Sequence, residues 1–113
     1  MTTISEGRDV VTLINVFTVE PEHQQELVDF LADATNSIIR QVPGFISANL
    51  HRSLDGTRVA NYAQWESRDA LQAMLRRPDV IPHLEAATRL ATADPVVYEV
   101  VHCYEAPGSG ASA

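Results

Sequence analysis

Each thing this 113-residue chain lacks removes a class of function. Cysteine occurs once, at Cys103, so neither an internal disulfide nor a thiolate metal cluster can form. Cys103 lies in a late apolar run, where a lone cysteine is expected to be a small buried residue. Lysine is missing altogether, and the eight basic residues, all Arg, face fifteen acids for a net charge of -7. A nucleic-acid partner needs a basic face, so that class is excluded. No run approaches the ~20 apolar residues of a spanning helix, which excludes a membrane-embedded chain. The first nine residues have neither a basic start nor an apolar stretch of signal-peptide type, so a cytoplasmic location is expected. The five glycines form no phosphate-cradling loop at a helix start, and Gly108-Ser109-Gly110 is no nucleophile elbow. His23, His51, His83 and His102 stand in no ligand spacing such as His-Glu-x-x-His, so no metal site is expected.

What remains is 45% hydrophobic residues, enough for one core and one domain. Residues 1–9 are polar and expected to be flexible. Val10–Val19 is β-branched and apolar on both faces, the pattern of a strand covered on both sides. Pro21 and its flanking acids suit a helix start. Leu27, Phe30, Leu31, Ala34 and Ile38 then recur at helical spacing until Val42-Pro43-Gly44 ends the run. Phe45–Arg52 and Arg58–Trp65 read as strands joined by a hairpin with Asp55-Gly56 at its tip. Ser67 is placed to cap a second helix through Leu75. Asp79 is placed to cap a further helical piece through Leu90, with Pro82 in its first turn. Val96–Tyr104 reads as a fourth strand, again apolar on both faces, and 105–113 as a disordered tail. The order is β-α-β-β-α-β, so residues 10–104 are expected to form an α+β, ferredoxin-like split β-α-β domain with an antiparallel sheet. Helices on one side leave the other side of the sheet apolar, and a second copy of the chain is the expected cover.

The candidate site lies in Asn61-Tyr62-Ala63-Gln64-Trp65. Alternation along a strand puts Asn61, Ala63 and Trp65, the single tryptophan, on one face. Such a Trp is ordinarily core, but an unpaired buried amide costs a few kcal/mol, and a planar ligand with oxygens would supply the partner. Asn15, in mid-strand between Leu13 and Phe17 on its own face, is unfavourable there on propensity. It reads either as a satisfied edge amide or as a second amide in the same pocket. His83 reads either as a solvated helix residue or as an acid/base group, since an imidazole works in both directions near neutral pH. His51, on a strand face with Phe45, Ser47 and Asn49, is a weaker candidate for the same place.

Asn61-Tyr62-Ala63-Gln64-Trp65-Glu66-Ser67, preceded by Pro43-Gly44-Phe45 and Asp55-Gly56-Thr57, resembles the antibiotic biosynthesis monooxygenase family over residues 10–104. Within it the chain is most similar to the anthrone oxygenases of aromatic polyketide pathways, of the actinorhodin and nogalamycin types. The resemblance implies a dimeric α/β barrel. It also implies a monooxygenase without metal or flavin that uses molecular oxygen to turn an anthrone-like methylene into a quinone carbonyl. It carries activity onto Asn15, Asn61 and Trp65, with Pro82-His83 also matching the nogalamycin type. The actinorhodin type adds a Tyr and an Arg where this chain has Leu71 and a position near Glu85. Haem-degrading members of the family use an Asn matching Asn15, a Trp where this chain has a position near Leu75, and a His displaced from His83. Haem oxygenation and a non-catalytic aromatic-binding module are the alternatives.

Overall fold

The computed structural model describes residues 2–7 and 9–108. Four strands, β1 (Val11–Val19), β2 (Phe45–Arg52), β3 (Arg58–Trp65) and β4 (Ala91–Tyr98), form one antiparallel sheet in the order β2-β3-β1-β4. Helices α1 (Gln24–Ser37), α2 (Arg68–Leu75) and α3 (Ile81–Leu90) complete an α+β, ferredoxin-like fold. The expected β-α-β-β-α-β order holds, with the second helical segment divided in two. Two buried clusters form the core. One gathers Val42, Ala63, Trp65, Leu71, Met74 and Val80. The other gathers Phe17, Val19, Leu27, Val59 and Ala87.

Local chemistry accounts for most boundaries. Pro21 opens a 3-10 turn that runs into α1. Ser67 caps α2, its Oγ accepting from the Ala70 N–H at 3.0 Å. The β2–β3 connection turns at Gly56, with φ +84°. There Asp55 Oδ1 accepts from Thr57 N at 3.0 Å, Thr57 Oγ1 at 2.7 Å and Ser53 Oγ at 2.8 Å. Those bonds favour the charged carboxylate and hold its pKa down to about 2. Buried Gln24 on α1 ties the same turn down, donating to Ser53 O at 3.0 Å and Arg58 O at 2.9 Å. Gly44 has φ +90°, and its oxygen accepts from Glu66 N at 2.8 Å. A Cβ there would overlap the Ala70 Cβ, so this glycine lets the β2 entry pack onto the start of α2.

Four expectations are corrected. The fourth strand lies earlier, at Ala91–Tyr98 rather than Val96–Tyr104. It follows α3 without a loop and contains Pro95, which an edge strand tolerates because one row of its N–H groups has no ladder to serve. It ends at Tyr98, opposite Thr12, because β1 begins at Val11 and offers residues 99–104 nothing to pair with. Cys103 is therefore exposed instead of buried. Asp79 does not cap α3, whose N-cap is Val80; it forms a two-bond pair with Arg77, at 2.9 Å each. Lastly, the β2·β3 register shifts between Phe45 and Ser47. This bulge turns Phe45 to the opposite face from Ser47, Asn49 and His51.

On the sheet face away from the helices, Thr2 and Thr3 lie across β2 and β3. Thr2 Oγ1 donates to Ser47 Oγ at 2.9 Å and accepts from Asn49 Nδ2, and Gln64 Nε2 donates to Thr3 O at 2.8 Å. Farther along the chain, Glu6 accepts from the Cys103 N–H at 2.8 Å. Met1 and Arg8 of the N-terminal segment, and 109–113 of the expected tail, lie outside the described residues.

Candidate active site

The two central strands bring the two candidate amides together. Asn15 on β1 and Asn61 on β3 are direct partners in the antiparallel register. One pleat on, Leu13 faces Ala63, and after that Val11 faces Trp65. Odd-numbered residues of both strands point at the helices, where a cavity of ≈ 270 Å³ lies between sheet and helices. Asn15, Asn61 and Trp65 all line it, and so does His83 from α3. Three of the four are only half-buried or less enclosed than core, whereas Trp65 is buried, its ring meeting Phe45 edge-on at 5.5 Å and 83°. The His83 ring centroid is 6.0 Å from that of Phe30 on α1. His51 does not reach the cavity: it is exposed on the opposite sheet face.

The walls are apolar. None of the described residues lining the cavity is Asp, Glu, Lys or Arg. Among the described residues three buried side-chain atoms have no hydrogen-bond partner; Thr12 Oγ1 lies on the other sheet face, and the two on the cavity side are Asn61 Oδ1 and Trp65 Nε1. One accepts and the other donates, and burying each unpaired costs about 1–3 kcal/mol. Asn15 differs: its Oδ1 accepts from the Asp94 N–H of the edge strand at 3.2 Å. That bond orients the amide and leaves its Nδ2 as the end with protons to give.

Sequence reasoning did not pick out Thr35 on α1 or Thr88 on α3, both of which line the cavity. Thr88 Oγ1 donates to Glu85 O at 2.7 Å. Helical phase alone cannot show which face of α3 meets the sheet. A depression of ≈ 490 Å³ lies at the surface, lined by Ser5, Asp9, Glu66 and Glu99 among others. None of its described lining residues is aromatic or a histidine. Among the described residues no cluster of three or more His, Cys, Asp or Glu could hold a metal ion, and no helix is long and apolar enough to cross a membrane.

A model of the antibiotic biosynthesis monooxygenase family matches residues 10–87. The chain belongs to the antibiotic biosynthesis monooxygenase family. It is 44% identical over 106 residues to the tetracenomycin-F1 monooxygenase of Streptomyces glaucescens, covering 94% of this chain and 95% of that one. Its fold matches a monooxygenase from the gene ActVA-Orf6 of Streptomyces coelicolor, solved with nanaomycin D. The TM-score is 0.78 at 32% identity, over 85% of this chain and 91% of the other. It also matches SnoaB, a cofactor-independent oxygenase of Streptomyces nogalater, with TM-score 0.73 at 30% identity, over 84% and 96% of the two chains. The resemblance read from Asn61 to Ser67 thus holds for family, fold and the monooxygenase class of oxidoreductase.

Proposed function

We propose that this monooxygenase oxidises the reactive methylene of an anthrone-like aromatic polyketide to a quinone carbonyl, using O₂ and no metal, flavin or haem. The observation that carries the reading is the pair of orphaned polar atoms, Asn61 Oδ1 and Trp65 Nε1, on residues lining an otherwise apolar cavity. A flat ring system bearing hydroxyl and carbonyl oxygens satisfies both, and the apolar walls take its faces. The relatives point the same way: one acts on tetracenomycin F1, one is seen with nanaomycin D, and SnoaB works without a cofactor.

The chemistry balances without a reductant. His83 removes a proton from the methylene, and the resulting enolate is electron-rich enough to pass an electron to O₂. Recombination forms a C–O bond and, after protonation, a hydroperoxide. Loss of the second C–H proton with O–O cleavage leaves the C=O and one water. Carbon gives up four electrons and O₂ takes four. The protein supplies a dry site and oriented dipoles. Trp65 Nε1 and Asn15 Nδ2 donate to the enolate oxygen, and Asn61 engages a neighbouring hydroxyl. Trp65 also packs on the rings, and its N–H helps the proton held by His83 reach the peroxide.

Oxygen uptake with dithranol or emodin anthrone, in flavin-free buffer containing chelator, tests the reading. Stoichiometric conversion to the quinone is expected. Uptake that requires added flavin, iron or haem would overturn it.

We also propose a homodimer through the open face of the sheet. Val96 and Tyr98 are 41% and 47% exposed there, beside Ile14 and Val16. Sedimentation at micromolar concentration is expected to give twice the chain mass, and a monomer would refute the pairing.

A further inference from the structure

We propose that Leu75 and Leu84 are specificity-determining residues of this site. They form the lip through which one end of the bound ring system leaves the cavity. The protein then takes fused rings longer than the enclosed space and accepts a charged substituent at the protruding end alone. The proposal rests on the ring-oxygenase reading above.

Three observations carry it. First, the enclosed space is small: ≈ 270 Å³, below the ~300–1,000 Å³ of sites that hold drug-sized ligands. A polycyclic ligand whose volume exceeds that space projects from it. Second, two leucines lining the cavity are also at the surface, Leu75 44% and Leu84 36% exposed, with Ile81 at 37% one turn before Leu84. Large apolar side chains that both line a cavity and reach the surface mark where an apolar ligand passes. Thr88 and Pro95 are the other exposed lining residues, and neither presents comparable apolar bulk.

Third, the lip is held in place. Leu75 ends α2 and Leu84 lies in the first turn of α3. The connection between them is pinned by Arg77 N to Met74 O at 3.2 Å and by Val80 N to Arg77 O at 3.0 Å. The Arg77–Asp79 pair braces it further. The two leucines therefore act as a fixed aperture. Charge follows the same geometry. The described lining residues include no Arg or Lys, so a carboxylate drawn inside would lose its water without gaining a cationic partner. At the lip it keeps its water.

The test compares kcat/KM for dithranol, with three rings, and for a hydroxylated four-ring naphthacenone, in Leu75→Trp, Leu84→Trp and Leu84→Ala. Leu54→Trp, fully exposed in the β2–β3 turn, is the control. Each lip Trp is expected to lower the four-ring to three-ring ratio at least ten-fold, mainly through KM. Leu84→Ala is expected to raise the ratio, and Leu54→Trp to leave it at the wild-type value. A parallel loss on both substrates, or a ratio unmoved by both lip Trp variants, overturns the proposal. Calorimetric Kd values for the corresponding three- and four-ring quinones separate this from the oxygenase reading. If neither anthrone is oxidised, that reading fails, and a ten-fold loss selective for the four-ring quinone still supports the lip. Equal losses, no loss, or no binding of either quinone refutes it.

Discussion

Gly44→Ala strikes the joint that packs the β2 entry onto the start of α2. Two costs are visible. At φ +90° a residue with a Cβ is strained by about 1–2 kcal/mol. The new methyl also overlaps the Ala70 Cβ, a backbone-anchored group that cannot rotate away, and overpacking of this kind costs about 1–3 kcal/mol. The reduced freedom of the unfolded chain returns about 0.4–1 kcal/mol. The net loss is about 1–4.5 kcal/mol, which in a chain of this size lowers Tm by roughly 4–25 °C. Because Glu66 N donates to Gly44 O next to Trp65, a backbone shift here is also expected to reduce turnover. The assay is thermal unfolding of Gly44→Ala, Ala70→Gly and the double variant. Ala70→Gly opens the space and leaves the φ strain, so the double variant should recover about 1–3 kcal/mol relative to additivity. A Tm loss under about 3 °C in Gly44→Ala, or strict additivity, would show that the close approach to Ala70 does not set the cost.

Asn61→Ala is expected to cut the initial rate of anthrone oxidation by roughly 10- to 1000-fold, the scale for losing one preorganised polar partner. Because Asn15 faces it across the ladder, Asn15→Ala should combine with it less than multiplicatively; wild-type rates in a folded Asn61→Ala, Trp65→Ala variant would sink the site assignment. Trp65→Phe keeps an apolar ring and removes the indole N–H, so a rate near that of Trp65→Ala indicates proton or hydrogen-bond donation, and a rate near wild type indicates stacking. The Asp55 carboxylate, with its pKa lowered from 3.8 to about 2, stabilises the fold above pH 3.8 and loses that contribution as pH falls toward 2. Asp55→Asn should therefore flatten the fall of Tm between pH 4 and pH 2, and an unchanged slope would show that the turn bonds are not linked to folding.

The parts of this fold that follow simple periodicity were readable from the chain. Period-two alternation placed Asn61, Ala63 and Trp65 on one face of β3 and Asn15 on one face of β1 with Leu13 and Phe17, and the register then sets the two amides opposite each other. Residues whose placement depends on a partner were not readable. Nothing in Phe45-Ile46-Ser47-Ala48 announces a bulge, yet it decides that Phe45 faces the cavity while His51 lies on the other sheet face. Pro95 looks like a strand stop until β4 is known to be an edge. The end of β4 is set by where β1 begins, a fact held many residues away. His83 was visible as a candidate but not its side of α3, because helical phase has no meaning until the helix is docked.

The candidate site residues were legible for the opposite reason: they break the local rules that the rest of the chain obeys. An Asn in the middle of each of two central strands lowers strand propensity, and both face the side where the core should be. The structure does not repair this by pairing them off. Asn15 borrows one N–H from β4, but Asn61 Oδ1 and Trp65 Nε1 stay buried without partners. A sequence under selection for stability alone would replace Asn61 with a β-branched residue and recover about 1–3 kcal/mol. The surrounding sheet supplies the rigidity that holds such groups in place, since β3 is hydrogen-bonded on both sides. On the proposed function, a substrate with matching oxygens removes that cost. Local inconsistency set within a consistent frame is what a binding site looks like before its ligand is known.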